Sequence, residues 1–171
     1  ACVADIIRRG ADWFLTIGPE RNNGTKIFSV SGHVNKPGNY ELPMRTPLRE
    51  IIYEHAGGII DDKEVKAIIP GGSSAPVLGP EHLDIAMDFD SLKEADSMLG
   101  SGAIVVMHED TCIVEAFARL ADFYAHESCG QCTPCREGTP WMAKILRNIE
   151  NGEGRPGDID LLYDICLKIM G

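Results

Sequence analysis

Three cysteines, Cys129, Cys132 and Cys135, fall within seven consecutive residues, Cys129-Gly130-Gln131-Cys132-Thr133-Pro134-Cys135. A loop that short can turn three thiolates toward one small inorganic body, and this spacing favours metal over separate disulfides. Iron–sulfur cubanes are held in this way, with a fourth thiolate drawn from elsewhere in the protein. Zinc is the plainer metal, but four-cysteine zinc sites usually present two separated C-x2–4-C pairs, and a second pair is missing here. Unligated or redox-active thiols are the third reading of the same residues. Gly130 and Pro134 suit a tightly curled loop that exposes backbone N–H groups to sulfur, and Arg136 adds positive charge beside it.

The fourth ligand is not evident. The bacterial ferredoxin run would place a cysteine shortly after Cys135, where Arg136-Glu137-Gly138-Thr139 stands instead. Cys166 is the obvious candidate, yet Ile159, Leu162, Cys166 and Ile169 recur at helical spacing, which puts its thiol on an apolar stripe. Cys2 and Cys112 read as core or surface residues. The five histidines, at 33, 55, 82, 108 and 126, are scattered, and His126 reads as a helix-end residue. Pro70-Gly71-Gly72-Ser73-Ser74 reads as a turn rather than an anion cradle, because no Gly-Lys-Ser/Thr follows. Gly100-Ser101-Gly102 lacks the remainder of a dinucleotide fingerprint.

Upstream of the cysteines the pattern changes from helix to strand. Cys2 to Phe14 reads as one helix. Ile27–Ser31, running on to Val34, and Asn39–Leu42 read as a hairpin about the turn Asn35-Lys36-Pro37-Gly38. Thr46 as cap, Pro47 at the first helical position and Gly57 as stop delimit a helix burying Leu48, Ile51 and Ile52. Val65–Ile69 and Ala103–Met107 read as further strands, with a short helix near 90–97. Hairpin, helix and strand in this order predict a small β-grasp, ubiquitin-like module. A helix opening at Asp110 or Thr111, with Ile113, Phe117, Leu120 and Tyr124 as its stripe, leads into the cysteine loop. Thr139-Pro140 marks the start of the next helix, burying Trp141, Ile145 and Ile149, and a last helix runs near 158–170. The expected fold class is therefore α+β, a β-grasp module followed by an all-helical metal-binding segment.

Composition narrows the function. With 26 acidic against 16 basic residues the net charge is −10, and no dense basic patch offers phosphates a partner, so nucleic acid is excluded as the main ligand. No apolar run approaches the ~18 residues that a membrane-spanning helix requires. The start at Ala1 shows no basic, apolar export leader, and the cysteine usage predicts a reducing compartment. Both ends read as cut within helical patterns, as expected of a piece of a longer protein.

The loop Glu127-Ser128-Cys129-Gly130-Gln131-Cys132-Thr133-Pro134-Cys135-Arg136-Glu137-Gly138-Thr139, the stretch Gly24–Gly38, Pro70–Ser74 and Met87-Asp88-Phe89-Asp90 together resemble one family, the F-type flavoprotein subunit of respiratory NADH:quinone oxidoreductase (complex I). The stretch from Gly24 resembles the opening of that family's soluble-ligand-binding β-grasp (SLBB) domain. The resemblance implies an enzyme in which NADH reduces FMN and electrons leave singly through a [4Fe–4S] cluster toward quinone. It implies Cys129, Cys132 and Cys135 as three cluster ligands, and a fourth in a Gly-x-Thr-x-Cys-Ala segment beyond Gly171. It implies FMN and NADH sites upstream of Ala1, so that this stretch alone neither binds NADH nor transfers hydride. By the same resemblance, residues 1–24 end an upstream FMN/NADH-binding domain, 25–108 form the SLBB domain with a connecting segment, and 109–171 form the iron–sulfur domain. The implied partners are a thioredoxin-like subunit and a large iron–sulfur subunit of the peripheral arm, on the cytoplasmic or mitochondrial matrix side of the membrane without insertion into it. The diaphorase subunit of NAD-linked hydrogenases or formate dehydrogenases shares these motifs and stays open as an alternative. So does a non-catalytic β-grasp binding module with a structural zinc.

Overall fold

The computed structural model describes residues 2–170, and the chain divides into two compact units after Asp110. The first unit begins with α1 (Val3–Arg9) and α2 (Ala11–Leu15). The single helix expected from Cys2 to Phe14 is thus two, because Gly10 adopts φ +90° between them.

A four-stranded mixed sheet follows, β1 (Thr25–Gly32), β2 (Gly38–Pro43), β3 (Val65–Ile69) and β4 (Ala103–His108), in the spatial order β2-β1-β4-β3. β1 pairs antiparallel with β2 from Thr25↔Pro43 to Val30↔Gly38, and parallel with β4 from Ser29↔Ala103 to Gly32↔Val106. β3 closes the other edge antiparallel to β4, with an irregularity between Val65 and Ala67. First and last strands side by side and parallel, flanked by β2 and β3, is the β-grasp arrangement. Alternation along β1 buries Phe28 and Val30 while their neighbours face outward, the period of a half-buried strand.

Against this sheet lies a short helix whose expected face is observed: Leu48, Ile51 and Ile52 are fully buried. Its ends differ from the expectation. α3 is only Leu48–Glu50 and continues as a wider π turn, Ile51–His55. Pro47 stands at the N-cap rather than inside the helix, and the buried Thr46 hydroxyl turns back to donate to the Pro43 carbonyl at 2.8 Å. Gly57 does end the helix, at φ +74°. The segment before β4 holds a short 3-10 turn (Pro80–His82) and α4 (Phe89–Glu94), capped by the Asp88 carboxylate accepting from the Ser91 N–H at 2.7 Å. Gly71 packs against the carbonyls of Met98 and Leu99, and the Gly72 N–H donates to the Ala103 carbonyl, so Pro70–Ser74 is a structural turn as expected.

Two histidines that look unrelated in sequence meet at one end of the sheet. The His33 and His108 rings stack with centroids 3.8 Å apart, and the His108 N–H reaches His33 Nδ1 at 3.4 Å. Lys63, paired with Asp110, stands nearby. Burial first, then the neighbouring His108 and Lys63, push the His33 pKa below its ordinary 6.5. The fold therefore holds the neutral ring. Above 6.5 both folded and unfolded chains carry it neutral; as pH falls through that value the unfolded chain takes the proton first, and stability is lost. His33→Gln should flatten this dependence: denaturation midpoints at about pH 7.5 and about pH 5.5 are expected to differ more for the native protein than for the variant. Equal differences in the two proteins would show that His33 does not contribute.

The second unit consists of α5 (Ile113–Glu127), α6 (Thr133–Glu150) and α7 (Asp158–Met170). α5 and α6 pack through small residues, Ala118, Ala121 and Ala143, which are buried, while Phe117 and Trp141 lie exposed. Of the expected stripes Ile113, Leu120, Tyr124, Ile145 and Ile149 are half-buried, but Phe117 and Trp141 are not part of the packed face: alanines let the two backbones come close and turn those aromatic rings outward. Gly138 on α6 faces Ile165 and Ile169 of α7, so closely that a Cβ there would lie 2.9 Å from Ile165. The buried face of α7 runs through Leu162, Ile165, Cys166 and Ile169, with Ile159 exposed rather than on it.

Candidate metal centre

The cysteine loop is the link between α5 and α6. α5 ends at Glu127, and only residues 128–132 intervene before Thr133 begins α6. The start of α6 is Thr133-Pro134, not the expected Thr139-Pro140, and the helix runs straight through Pro140. Two Thr-Pro pairs offer the same cap-then-proline signal. The first suits a helix start because proline lacks the N–H that would be unpaired there anyway. At the second, the missing Pro140 N–H is tolerated inside the helix, and the buried Thr139 hydroxyl donates to the Cys135 carbonyl at 2.8 Å.

This shift brings the second and third of the cysteines onto the start of the helix itself. Cys132 is the N-cap residue, its carbonyl accepting the first helical bond from the Arg136 N–H at 2.9 Å, and Cys135 lies in the first turn. The unpaired N–H groups of that turn form the electropositive end of α6, and no acidic side chain in the first turn offsets it. Cys129 and Cys132 are exposed and Cys135 is half-buried; all six cysteines are free thiols. Gly130 takes φ +75°, which lets the chain reverse between Cys129 and Cys132. The Ser128 hydroxyl closes the loop, accepting from the Gly130 N–H at 3.3 Å and meeting Cys135 Sγ at 3.4 Å.

Among the described residues no three His, Cys, Asp or Glu side chains are grouped so as to hold a single metal ion. A zinc site needs its donors converged at ~2.3 Å from one atom. A cubane instead takes one thiolate per iron, so its donors stand apart around a larger body. Three thiols on one reversing loop, with no histidine or carboxylate between them and an electropositive helix end behind, fit the latter donor set. Cys166 sits on the packing stripe of α7, half-buried beside Ile165. Cys112, at the N-cap of α5, is exposed and donates to Glu150 at 3.2 Å, and Cys2 precedes α1. His126 is largely exposed, and its nearest acid is Glu127. The His33–His108 stack is the grouping that sequence spacing did not reveal, since the parallel pairing of β1 with β4 creates it.

Comparison with known proteins agrees with both parts of the fold. Residues 26–106 match the SLBB domain, and residues 115–171 match the iron–sulfur binding region of NADH-ubiquinone oxidoreductase-F. The chain is thus an iron–sulfur protein of the class that joins an SLBB domain to a helical [4Fe–4S]-binding region. The second F-type subunit of the NADH-quinone oxidoreductase of Rhizobium meliloti (strain 1021) is 53% identical over the whole of this chain, and the F-type subunit of Rickettsia bellii (strain OSU 85-389) is 54% identical. Over its whole length the chain is homologous to these F-type subunits of NADH-quinone oxidoreductase. It spans 41% and 42% of the length of those two relatives. Among solved structures, a chain of the NAD+-reducing [NiFe]-hydrogenase in its air-oxidized state superposes with a TM-score of 0.82 at 32% identity, covering 96% of this chain and 28% of that one.

Proposed function

We propose that this chain is the electron-exit part of an NADH-oxidising flavoprotein subunit of complex I, and that Cys129, Cys132 and Cys135 supply three thiolates to its [4Fe–4S] cluster. The observation that carries this reading is the placement of all three within the short link, N-cap and first turn at the N-terminal end of α6. When bound, the cluster accepts and passes on single electrons. The chain's own contribution is to hold three donors in a fixed frame, to surround them with N–H groups, and to leave Cys129 and Cys132 accessible to cluster loading.

The fourth thiolate is assigned to the segment beyond Gly171, since Cys166 packs along α7. FMN and NADH are assigned to the region preceding Ala1. On this reading residues 1–24 end that flavin domain, 25–108 are the SLBB domain with its connecting segment, and 109–171 are the iron–sulfur domain. No helix among the described residues is long and apolar enough to cross a membrane. The proposed setting is peripheral, on the cytoplasmic or matrix face, beside a thioredoxin-like subunit and a large iron–sulfur subunit.

A second reading, the diaphorase subunit of an NAD-linked hydrogenase, is favoured by the superposition on the hydrogenase chain at 32% identity. The 53–54% identity to quinone oxidoreductase subunits supports the first. The deciding experiment is anaerobic purification of the full-length protein with whatever accompanies it, followed by iron and sulfide analysis and electron paramagnetic resonance after reduction by NADH. A brown protein with a reduced-cubane signal, co-purifying with peripheral-arm subunits and reducing quinone, is expected. Co-purification with a nickel-containing subunit would move the assignment to the hydrogenase, and a colourless, zinc-loaded protein would end both readings.

A further inference from the structure

Arg136 follows Cys135, the third cysteine of the motif, and makes more side-chain bonds to the loop than any of the three cysteines does. Its Nη1 donates to the Gly130 carbonyl at 2.7 Å and reaches the Gln131 carbonyl at 3.4 Å. Its Nη2 reaches the Thr133 hydroxyl at 3.4 Å, and its Nε donates to Glu137 Oε1 at 3.0 Å. One guanidinium, oriented by the carboxylate beside it, therefore spans the stretch between Cys129 and Cys132 and ties it to the first turn of α6. Its side chain is 46% exposed, so no burial of its stem explains its position; the bonds do.

We propose that Arg136 is a positioning residue of the cluster loop, a planar clamp that fixes the carbonyls of Gly130 and Gln131 and thereby the directions of Cys129 and Cys132 before any cluster arrives. The inference rests on the assignment of these cysteines as ligands, but the clamp itself is a property of the loop without its cluster. Three features make arginine the residue for this. The fork presents several N–H donors in one plane, so it can bridge two successive carbonyls and a hydroxyl. Its charge strengthens each bond to a neutral carbonyl. Within the loop it engages only carbonyl oxygens and so occupies none of the loop's backbone N–H groups. Lysine would keep the charge on a single, mobile ammonium and lose the plane.

The test compares Arg136→Lys and Arg136→Ala with the native full-length protein in two states. In the metal-free state, hydrogen exchange at the Gly130 amide, whose N–H is held by the Ser128 hydroxyl in the loop that Arg136 fixes, is expected to quicken about tenfold or more in both variants. In the loaded state, both variants are expected to lose their cluster to oxygen several-fold faster and to carry less iron per chain, with the helical circular dichroism unchanged. A merely electrostatic role would be rescued by lysine. Arg136→Lys behaving as native in exchange and in cluster lifetime would therefore overturn the clamp, as would native-like Arg136→Ala. Glu137→Gln, which keeps an acceptor beside Nε, should fall between native and Arg136→Ala; an effect as large as that of Arg136→Ala would transfer the anchoring role to the carboxylate. A native protein that binds no cluster at all, yet shows faster exchange in the variants, would sink the ligand assignment and leave the clamp standing.

Discussion

Replacing Gly32 with alanine is expected to lower the unfolding free energy of the sheet unit by about 3–5 kcal/mol, among the larger effects a single methyl group can have. Gly32 ends β1 at φ +86°, where it runs parallel to β4. A Cβ there would lie 2.2 Å from the Val106 carbonyl oxygen and 2.8 Å from the Val106 nitrogen. Both are backbone atoms, so no rotamer change relieves the clash. The left-handed conformation alone costs a side chain ~1–2 kcal/mol. The remainder comes from forcing apart the two central strands and weakening the bond from the His33 N–H to the Val106 carbonyl, now 2.8 Å. Gly10→Ala is the matched control. It shares a positive φ, +90°, with ψ 161°, a conformation essentially confined to glycine, but a Cβ there meets nothing within 4 Å, so only a backbone penalty of ~1–3 kcal/mol applies. Urea denaturation of the two variants separates the contributions. Equal shifts at both positions would mean that the β1–β4 approach is not the source of the cost.

The difference between what is legible in the residues and what is not follows from the range of the interaction involved. Strand alternation in Phe28 and Val30, the buried face Leu48, Ile51 and Ile52, and the span of α7 are each written locally, and each is observed. Helix starts are less legible. Thr46-Pro47 and Thr139-Pro140 carry a start signal, yet Thr46 bonds backward to Pro43 and Thr139-Pro140 lies inside α6. The signal is real at Thr133-Pro134, where a start satisfies the short link from α5; choosing among equivalent dipeptides requires knowing which helices must meet. The packing of α5 on α6 escapes the sequence for a related reason. Hydrophobic size points to Phe117 and Trp141, whereas close helix approach selects Ala118, Ala121 and Ala143. The His33–His108 stack depends on strands 75 residues apart in register and has no local trace. The candidate ligands, by contrast, are legible as residues from their spacing alone, while their frame is not: Arg136 reads as a charge and is a clamp, and Cys132 reads as a loop residue and caps a helix.

That frame makes the cysteines unequal to one another in a testable way. In the full-length loaded protein, Cys129→Ala, Cys132→Ala and Cys135→Ala are each expected to abolish the reduced-cubane resonance and to cut bound iron about tenfold or more, since a cubane held by three thiolates and water is far more labile than one held by four. Cys135 carries an additional expectation. Its sulfur meets Ser128 Oγ, and its carbonyl accepts from the buried Thr139 hydroxyl, so its thiol is the most firmly held of the three. Ser128→Ala should leave the cluster in place but shift its spectrum, because the hydroxyl contact to one sulfur is lost and no ligand is. Cys166→Ala should leave resonance and iron unchanged, with a stability cost of about 1 kcal/mol for trimming a half-buried side chain on α7. Cys112→Ala, which removes an exposed thiol paired with Glu150, should be silent in every readout. Loss of the resonance in Cys166→Ala with normal helicity would make that thiol the fourth ligand, and would require α7 to turn the face that now packs at Ile165 and Gly138 toward the cysteine loop. The close approach at Gly138 opposes such a rotation, which is why the silent outcome is expected.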